Sequence, residues 1–279
     1  MAAIRFAKMS GAANDFVVID NRSGAVPAPT AEWVRKLCLP HFGVGADGLM
    51  LLGSSPDVDF TMRYFNADGS EAAMCGNGGR CIARFAVLVG AAAEGREVKF
   101  VSPSGLYRAQ VKGDLVRLEL PNPGKVELSV SLPLAGGERE CDAVNTGVPH
   151  VVCYSQQVEQ EDVFNLGREI RRHARFAPAG TNVNFVQVLN THELKVRTYE
   201  RGVEDETLAC GTGAAAAVLC AARRGYVASP VLALTKSGLP LKVEFVMTPE
   251  GFEHLAQSGE ARLVYWGELS DEATRFDLV

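Results

Sequence analysis

Landmarks of the first half of this sequence return in the second at an offset of 134 residues, give or take one: Asn14 falls on Val148, Gly48 on Asn182 and Asn66 on Glu200. Cys75 falls on Cys210 at 135, and Ser104-Gly105-Leu106 on Ser237-Gly238-Leu239 at 133. Side-chain identity across the repeat is low. Turns, strands, a Cys-Gly-x-Gly element and an alanine-rich helix nevertheless coincide in order, and a period of this length prescribes two similar domains. With 279 residues, 47% of them apolar, the chain is long enough for two cores or one large one, so the repeat decides. The breaker run Pro121-Asn122-Pro123-Gly124 marks the boundary, giving residues 1–120 and a second domain from 121 onward. Two similar domains facing each other would form one cleft, where ligands commonly bind.

Locally the pattern is α+β. Ile4 to Lys8 and Phe16 to Ile19 read as strands around the small-residue turn Ser10-Gly11-Ala12-Ala13. Thr30 is placed to cap a short helix with Trp33, Val34, Leu37 and Cys38 on its apolar stripe. Gly43 to Leu52 and Phe60 to Phe65 read as a loop and strands, as do Val98 to Val101, Leu106 to Val111 and Leu115 to Leu120. Between these sets lies a nearly uncharged helix, Cys81 to Val89, with a glycine-rich entry and a glycine exit at Gly90; its repeat is Gly213 to Arg224, ending at Gly225.

A formal net charge of -5 and a pI near 5.6 leave no basic surplus for phosphates, which points to a small-molecule substrate and away from nucleic acid. No apolar run reaches the ~20 residues that cross a bilayer, and Met1 to Ser10 lacks a signal-peptide core, so the expected location is the cytoplasm. Seven cysteines without CxxC spacing argue for free thiols over a disulfide framework or a zinc knuckle; no metal is expected.

Cys75-Gly76-Asn77-Gly78 and Cys210-Gly211-Thr212-Gly213 each place a thiol where a loop enters a helix. Unpaired N–H groups and the helix dipole favour negative charge there, which can lower a thiol pKa from ~8.5 toward neutrality. Glycines let a carboxylate sit directly on those N–H groups. Inverting an amino-acid α-carbon requires a base on one face and an acid on the other, and two thiols, one deprotonated, satisfy that in either direction. The same N–H groups would hold the charge that develops as the α-carbanion forms, so no pyridoxal or other cofactor is required in principle. Gly76 to Gly79 is not a phosphate cradle, because the Lys-Ser/Thr pair that follows a P-loop is missing.

Around the thiols, Glu200 and Arg201 occupy the repeat position of Asn66, where an Arg can bind a carboxylate and a Glu an ammonium group. A solvated ion pair is the alternative. His150 could orient a substrate, tune a thiol, or be an ordinary half-buried histidine. Asn14, Asn66 and Asn182 suit a polar substrate or a turn. Cys38, Cys81, Cys141, Cys153 and Cys220 lack symmetric partners and read as core or incidental.

The sequence resembles diaminopimelate epimerase along essentially its whole length. The resemblance is carried by Asn14-Asp15-Phe16-Val17-Val18-Ile19-Asp20, Phe65 to Arg80, Pro149-His150, Asn182-Val183-Asn184-Phe185, and Tyr199-Glu200-Arg201-Gly202 leading to Ala209-Cys210-Gly211-Thr212-Gly213. It implies two pseudo-symmetric domains, each a barrel-like set of strands around a central helix, with residues 266–279 returning to the first domain and 121–265 forming the second. It implies interconversion of LL- and meso-diaminopimelate, toward lysine and peptidoglycan, without metal or coenzyme; a homodimer is compatible with it. Cys75 and Cys210 would then be the acid/base pair. The amides of Gly76, Asn77, Gly211 and Thr212 would take the reacting carboxylate, and Asn14, Asn66, Asn182, Glu200 and Arg201 the rest of the substrate. Gly48 and Val148 stand where many members carry side-chain amides, so contacts at those two positions are in doubt.

Rival readings are a proline or hydroxyproline racemase or a phenazine-pathway isomerase of the same architecture, a thiol redox or hydrolytic enzyme, and a non-catalytic amino-acid-binding module. Proline racemases usually carry His at the position of Asn77 and have no need of Glu200 and Arg201, and phenazine-type relatives lack the cysteine pair. Hydrolysis would need a third group to orient His150.

Overall fold

A computed structural model describes residues 4–26, 28–270 and 272–277. The chain divides into two compact units, Met1–Leu118 with Gly259–Val279, and Glu119–Ser258.

The first unit contains β1 (Ile4–Gly11), β2 (Asn14–Asp20), α1 (Ala31–Cys38), β3 (Gly48–Gly53), β4 (Phe60–Asn66), β5 (Glu71–Ala72), α2 (Gly76–Leu88), β6 (Glu97–Ser102), β7 (Gly105–Lys112) and β8 (Leu115–Glu119). The second contains β9 (Glu127–Leu134), β10 (Gly137–Asn145), β11 (Pro149–Tyr154), α3 (Val163–Arg171), β12 (Asn182–Asn190), β13 (Glu193–Glu200), β14 (Asp205–Thr207), α4 (Gly211–Arg223), β15 (Val231–Leu234), β16 (Pro240–Met247) and β17 (Phe252–Glu260). The chain then returns to the first unit as β18 (Arg262–Leu269), antiparallel to β1 with Ile4 opposite Leu269. That pairing already holds at Arg262, so residues 259–265 belong with the first unit, earlier than the return at 266 expected from sequence; residues 271, 278 and 279 of that tail lie outside the described residues.

The repeat is visible in the pairing. β2 and β3 run parallel, as do β11 and β12; β3–β4 and β12–β13 are antiparallel; β4–β6 and β13–β15 are again parallel. Each parallel step needs a crossover. α1 supplies it after β2 and α3 after β11, while α2 and α4 cross over from β4 to β6 and from β13 to β15. Thr30 caps α1, its hydroxyl accepting the Trp33 N–H at 3.2 Å. Asp162 does the same for α3, its carboxylate accepting the Asn165 N–H at 3.1 Å.

The central helices sit inside their sheets. α2 packs on β1, β2, β3, β4 and β7, and α4 on β10, β11, β12, β13, β15 and β16. Surrounded in this way, α4 has almost no face left for water: every residue from Gly213 to Ala222 is buried, and small alanines let the strands approach on all sides. Where α4 ends, Arg224 donates two 2.7 Å hydrogen bonds to the buried carboxylate of Asp142 on β10 and one of 2.9 Å to Glu140. Asp142, fully enclosed, is tolerable because the guanidinium neutralises it; the exposed Glu140 partner is screened by water. Arg224→Met should therefore lower unfolding free energy in urea by about 3–5 kcal/mol, and Glu140→Gln by less than about 1 kcal/mol. Equal effects of the two would show that burial of Asp142 is not what the pair offsets.

Candidate functional site

Cys75 and Cys210 are the N-cap residues of α2 and α4. Both have extended backbone, at φ -133°, ψ 125° and φ -119°, ψ 113°, and neither helix start receives a side-chain cap. The first intrahelical bonds run from Gly79 N–H to Cys75 O at 2.7 Å and from Ala214 N–H to Cys210 O at 2.9 Å. The N–H groups ahead of them point out of the helix beside each sulfur, as helix geometry dictates. A first turn of glycine and small polar residues without a capping side chain can receive an anion.

In the first unit, the β2–β3–β4 register aligns Phe16 with Gly48 and Gly48 with Asn66. The turn before β2 passes through Ala12 and Ala13 at φ 53° and 66°, a left-handed conformation costing roughly 1 kcal/mol per residue that only small side chains enter readily. It delivers Asn14, whose Oδ1 accepts from the Cys75 thiol at 3.7 Å and whose Nδ2 donates to Asp47. Asp47 in turn accepts the Asp15 N–H, and Asp15 pairs with Lys8 at 2.6 Å. Asn77, buried behind Cys75, accepts from the fully buried Arg80 at 2.7 Å, which fixes the helix start from below. The Asn66 amide donates to Ser70 at 3.0 Å and closes the turn that precedes β5.

Gly48 has no room for a side chain: a Cβ there would lie 2.4 Å from the Phe65 carbonyl oxygen and 2.7 Å from the Tyr64 ring. The missing amide at 48 is thus matched by a tyrosine filling the adjacent space. At 148 the valine contributes its backbone carbonyl, which accepts the Thr146 N–H at 3.1 Å.

In the second unit, the Cys210 sulfur lies 3.5 Å from the Thr212 hydroxyl. The carbonyls of the same turn are held from two sides, Thr212 by the Thr146 hydroxyl at 3.1 Å and Gly211 by the buried Gln257 amide at 2.8 Å. Asn182 accepts the Arg201 N–H at 2.9 Å and donates to the Pro149 carbonyl at 3.2 Å, so β11, β12 and the turn after β13 are tied at one point. Glu200 accepts from Thr207 at 2.9 Å. His150 is buried rather than half-buried, and burial together with the nearby Arg201 cation pushes its pKa down to about 3. Its Nδ1 faces the Asn184 Nδ2 at 3.2 Å, while Asn184 Oδ1 accepts the Thr198 hydroxyl at 2.9 Å, which fixes the orientation of the amide. The amide therefore donates to Nδ1, and the proton of the neutral ring sits on Nε2.

The two helix starts rest on different floors. A Cβ on Gly78 would meet Met50, Cys75 and Phe16; one on Gly213 would meet Asn184 Oδ1 at 2.4 Å and Thr198 Oγ1 at 3.1 Å. The repeat equates Phe16 with His150 and Met50 with Asn184, so apolar side chains at the helix start of one unit stand where hydrogen-bonding ones stand in the other. Asp47, Arg80, Thr146, Thr198 and Gln257, which hold these sites in shape, were not singled out by sequence reasoning; Asn184 was seen only as part of a matching run.

The sequence model described as "Diaminopimelate epimerase" matches residues 6–127 and 142–264. The diaminopimelate epimerase of Aquifex aeolicus is 43% identical over 98% of this chain and 100% of its own length. That of Chlorobaculum tepidum is 44% identical over 94% and 100%. Among solved structures, a probable proline racemase from Agrobacterium radiobacter superposes with a TM-score of 0.76 at 17% identity, covering 99% of this chain and 96% of its own. A hydroxyproline epimerase from Agrobacterium vitis gives 0.73 at 16%, with the same coverage. At these identities the two structures establish the fold.

Because the folded chain refuses a proton at His150 until about pH 3 while the unfolded chain accepts one near 6.5, stability should fall as pH drops through that window and be complete above it. His150→Phe, the residue found at the equivalent position 16, should flatten the fall in melting temperature between pH 6.5 and pH 4. An unchanged slope in the variant would mean that His150 is not buried neutral.

Proposed function

The chain belongs to the diaminopimelate epimerase family, and we propose that it interconverts LL- and meso-diaminopimelate in the cytoplasm, by cofactor-independent proton transfer between Cys75 and Cys210. The observation that carries this reading is that each thiol is the N-cap of a helix whose first turn has no side-chain cap. The α-carboxylate of the substrate takes the place of the missing caps, on the N–H groups of Gly76, Asn77, Gly211 and Thr212. One sulfur, as thiolate, removes the α-proton, and the other, as thiol, supplies a proton to the opposite face. Between those events the carbanion delocalises into the carboxylate. The N–H groups hold the extra charge there, each such donor contributing on the order of a hundredfold in rate.

The reaction runs both ways because the sulfurs exchange roles with each inversion, and solvent resets their protons after the product leaves. Asn14, Asn66 and Asn182 orient the polar body of the substrate. Arg201 binds the distal carboxylate and Glu200 the distal ammonium group, which selects a substrate with an amino-acid unit at both ends. Asn14 keeps the Cys75 sulfur in place, while Thr212 serves that purpose for Cys210.

Cys75→Ser and Cys210→Ser should each slow epimerisation at least about a thousandfold, since a serine hydroxyl is a far weaker acid than a thiol. Cys38→Ser, in a buried thiol whose pKa is pushed up to about 12 by burial, should leave turnover near that of the unaltered protein. The assay is conversion of LL-diaminopimelate followed by chiral chromatography. Near-normal turnover in either of the first two variants would refute the two-thiol assignment.

A further inference from the structure

Two further cysteines of the second unit face each other across a strand pair. Cys141 on β10 and Cys153 on β11 are both completely buried, with their sulfurs 2.7 Å apart. The antiparallel register pairs Asp142 with Val152 and Ala143 with Val151; extended by one residue it sets Cys141 opposite Cys153, where the sulfurs meet. Directly opposed residues of such a pair have Cα atoms about 4.5–5.5 Å apart, inside the ~4.4–6.8 Å range of disulfides, so a bond needs no backbone movement. The pair lies in a core cluster with Val130, Val151, Val158 and Phe185, and each sulfur is the other's hydrogen-bond partner.

One cation is within reach. Arg139, two residues before Cys141 and on the same face of β10, lies with its guanidinium over the Phe185 ring at 5.4 Å and pairs with Glu161 at 3.2 Å. Both sulfurs act on it electrostatically. The neighbouring Cys141 thiol and burial hold the Cys153 thiol well above its ordinary pKa and Arg139 opposes them, so the attacking thiolate is a minor, transient form that this cation favours.

We propose that Cys141 and Cys153 form a redox-active pair that closes to a disulfide when the protein meets a hydroperoxide. One sulfur, as thiolate, attacks the peroxide O–O bond and becomes a sulfenic acid, releasing water or an alcohol. The second sulfur then attacks the first, the S–S bond forming as the S–OH bond breaks, and the hydroxyl leaves as water with the second thiol's proton. Two thiols lose two electrons and two protons, and the peroxide is reduced by two electrons. The bond staples the β10–β11 hairpin, whose connection carries Thr146 onto the Thr212 carbonyl and leads into His150. Oxidation thus stiffens the support of the α4 start and adds stability by shortening the accessible loops of the unfolded chain.

The test is helped by the sequence: trypsin cleaves after Arg139 and Arg168, and the peptide between them contains Cys141 and Cys153 and no other cysteine. The full-length protein is treated with graded hydrogen peroxide, alkylated under denaturing conditions, digested and weighed. The expected result is a peptide that takes up no alkyl group and is lighter than its reduced, unalkylated form by about 2 Da, the two lost hydrogens. The unfolding midpoint should rise by about 5 °C and return with dithiothreitol. Cys153→Ser should abolish the rise; should that variant not fold, the peptide mass of the unaltered protein decides alone. A peptide that remains doubly alkylated at peroxide levels that oxidise Cys75 or Cys210, or a sulfur of this pair linked to another cysteine, overturns the proposal.

Discussion

The proposed chemistry depends on two helix starts that no side chain caps. A helix pays for its first turn with N–H groups that have no partner inside it, and most helices satisfy one of them with a Ser, Thr, Asp or Asn side chain. α1 and α3 do so through Thr30 and Asp162. α2 and α4 begin instead with a cysteine, which is a poor cap, followed by glycine-rich turns that leave the peptide dipoles available to an external carboxylate. The other features of the site hold those two turns still: Arg80 on Asn77 in one unit, Thr146 and Gln257 on the Thr212 and Gly211 carbonyls in the other.

A duplicated fold would be expected to hold its two cysteine-bearing helix starts alike, and here it does not. Phe16 and Met50 lie against the α2 start, whereas His150, Asn184 and Thr198 give α4 a network of hydrogen bonds around a neutral imidazole. The substrate gives a reason for asymmetry. Only one of its two amino-acid ends reacts, so a polar receptor for the distal end is needed once, and Glu200 and Arg201 are the groups proposed for it. Burial, with the Arg201 cation nearby, disfavours the imidazolium at His150, so the ring adds no second cation beside Arg201.

Much of this was legible in the residues. The offset near 134, the two Cys-Gly-x-Gly entries and the Thr30 cap all rest on local chemistry: glycine where backbone must be bare, a hydroxyl where an N–H is orphaned. α3 was not foreseen, and Gly167 stands in its middle. It is there because a Cβ would meet that of Tyr199 at 2.5 Å, a fact of packing rather than of propensity. The polar floor under α4 escaped for a related reason. In Asn182-Val183-Asn184-Phe185 the alternation of polar and apolar residues suggests one face toward water, yet both asparagines are buried: Asn184 lies against the α4 start at Gly213, and the two amides donate to the Val151 and Pro149 carbonyls of the neighbouring strand. Contacts made by register between distant segments leave no mark in the local pattern.

Because a single base would have to return the proton it removed, the isotope content of the two stereoisomer pools reports directly on the number of acid/base groups. LL-diaminopimelate with ordinary hydrogen at its α-carbons would be turned over in deuterium oxide, and both pools analysed before equilibrium is approached. A two-thiol site delivers a solvent-derived deuteron to every meso product formed while the unreacted LL pool keeps its protium. Product that retains protium at the inverted carbon, or an LL pool that gains deuterium as fast as the product does, would contradict the account.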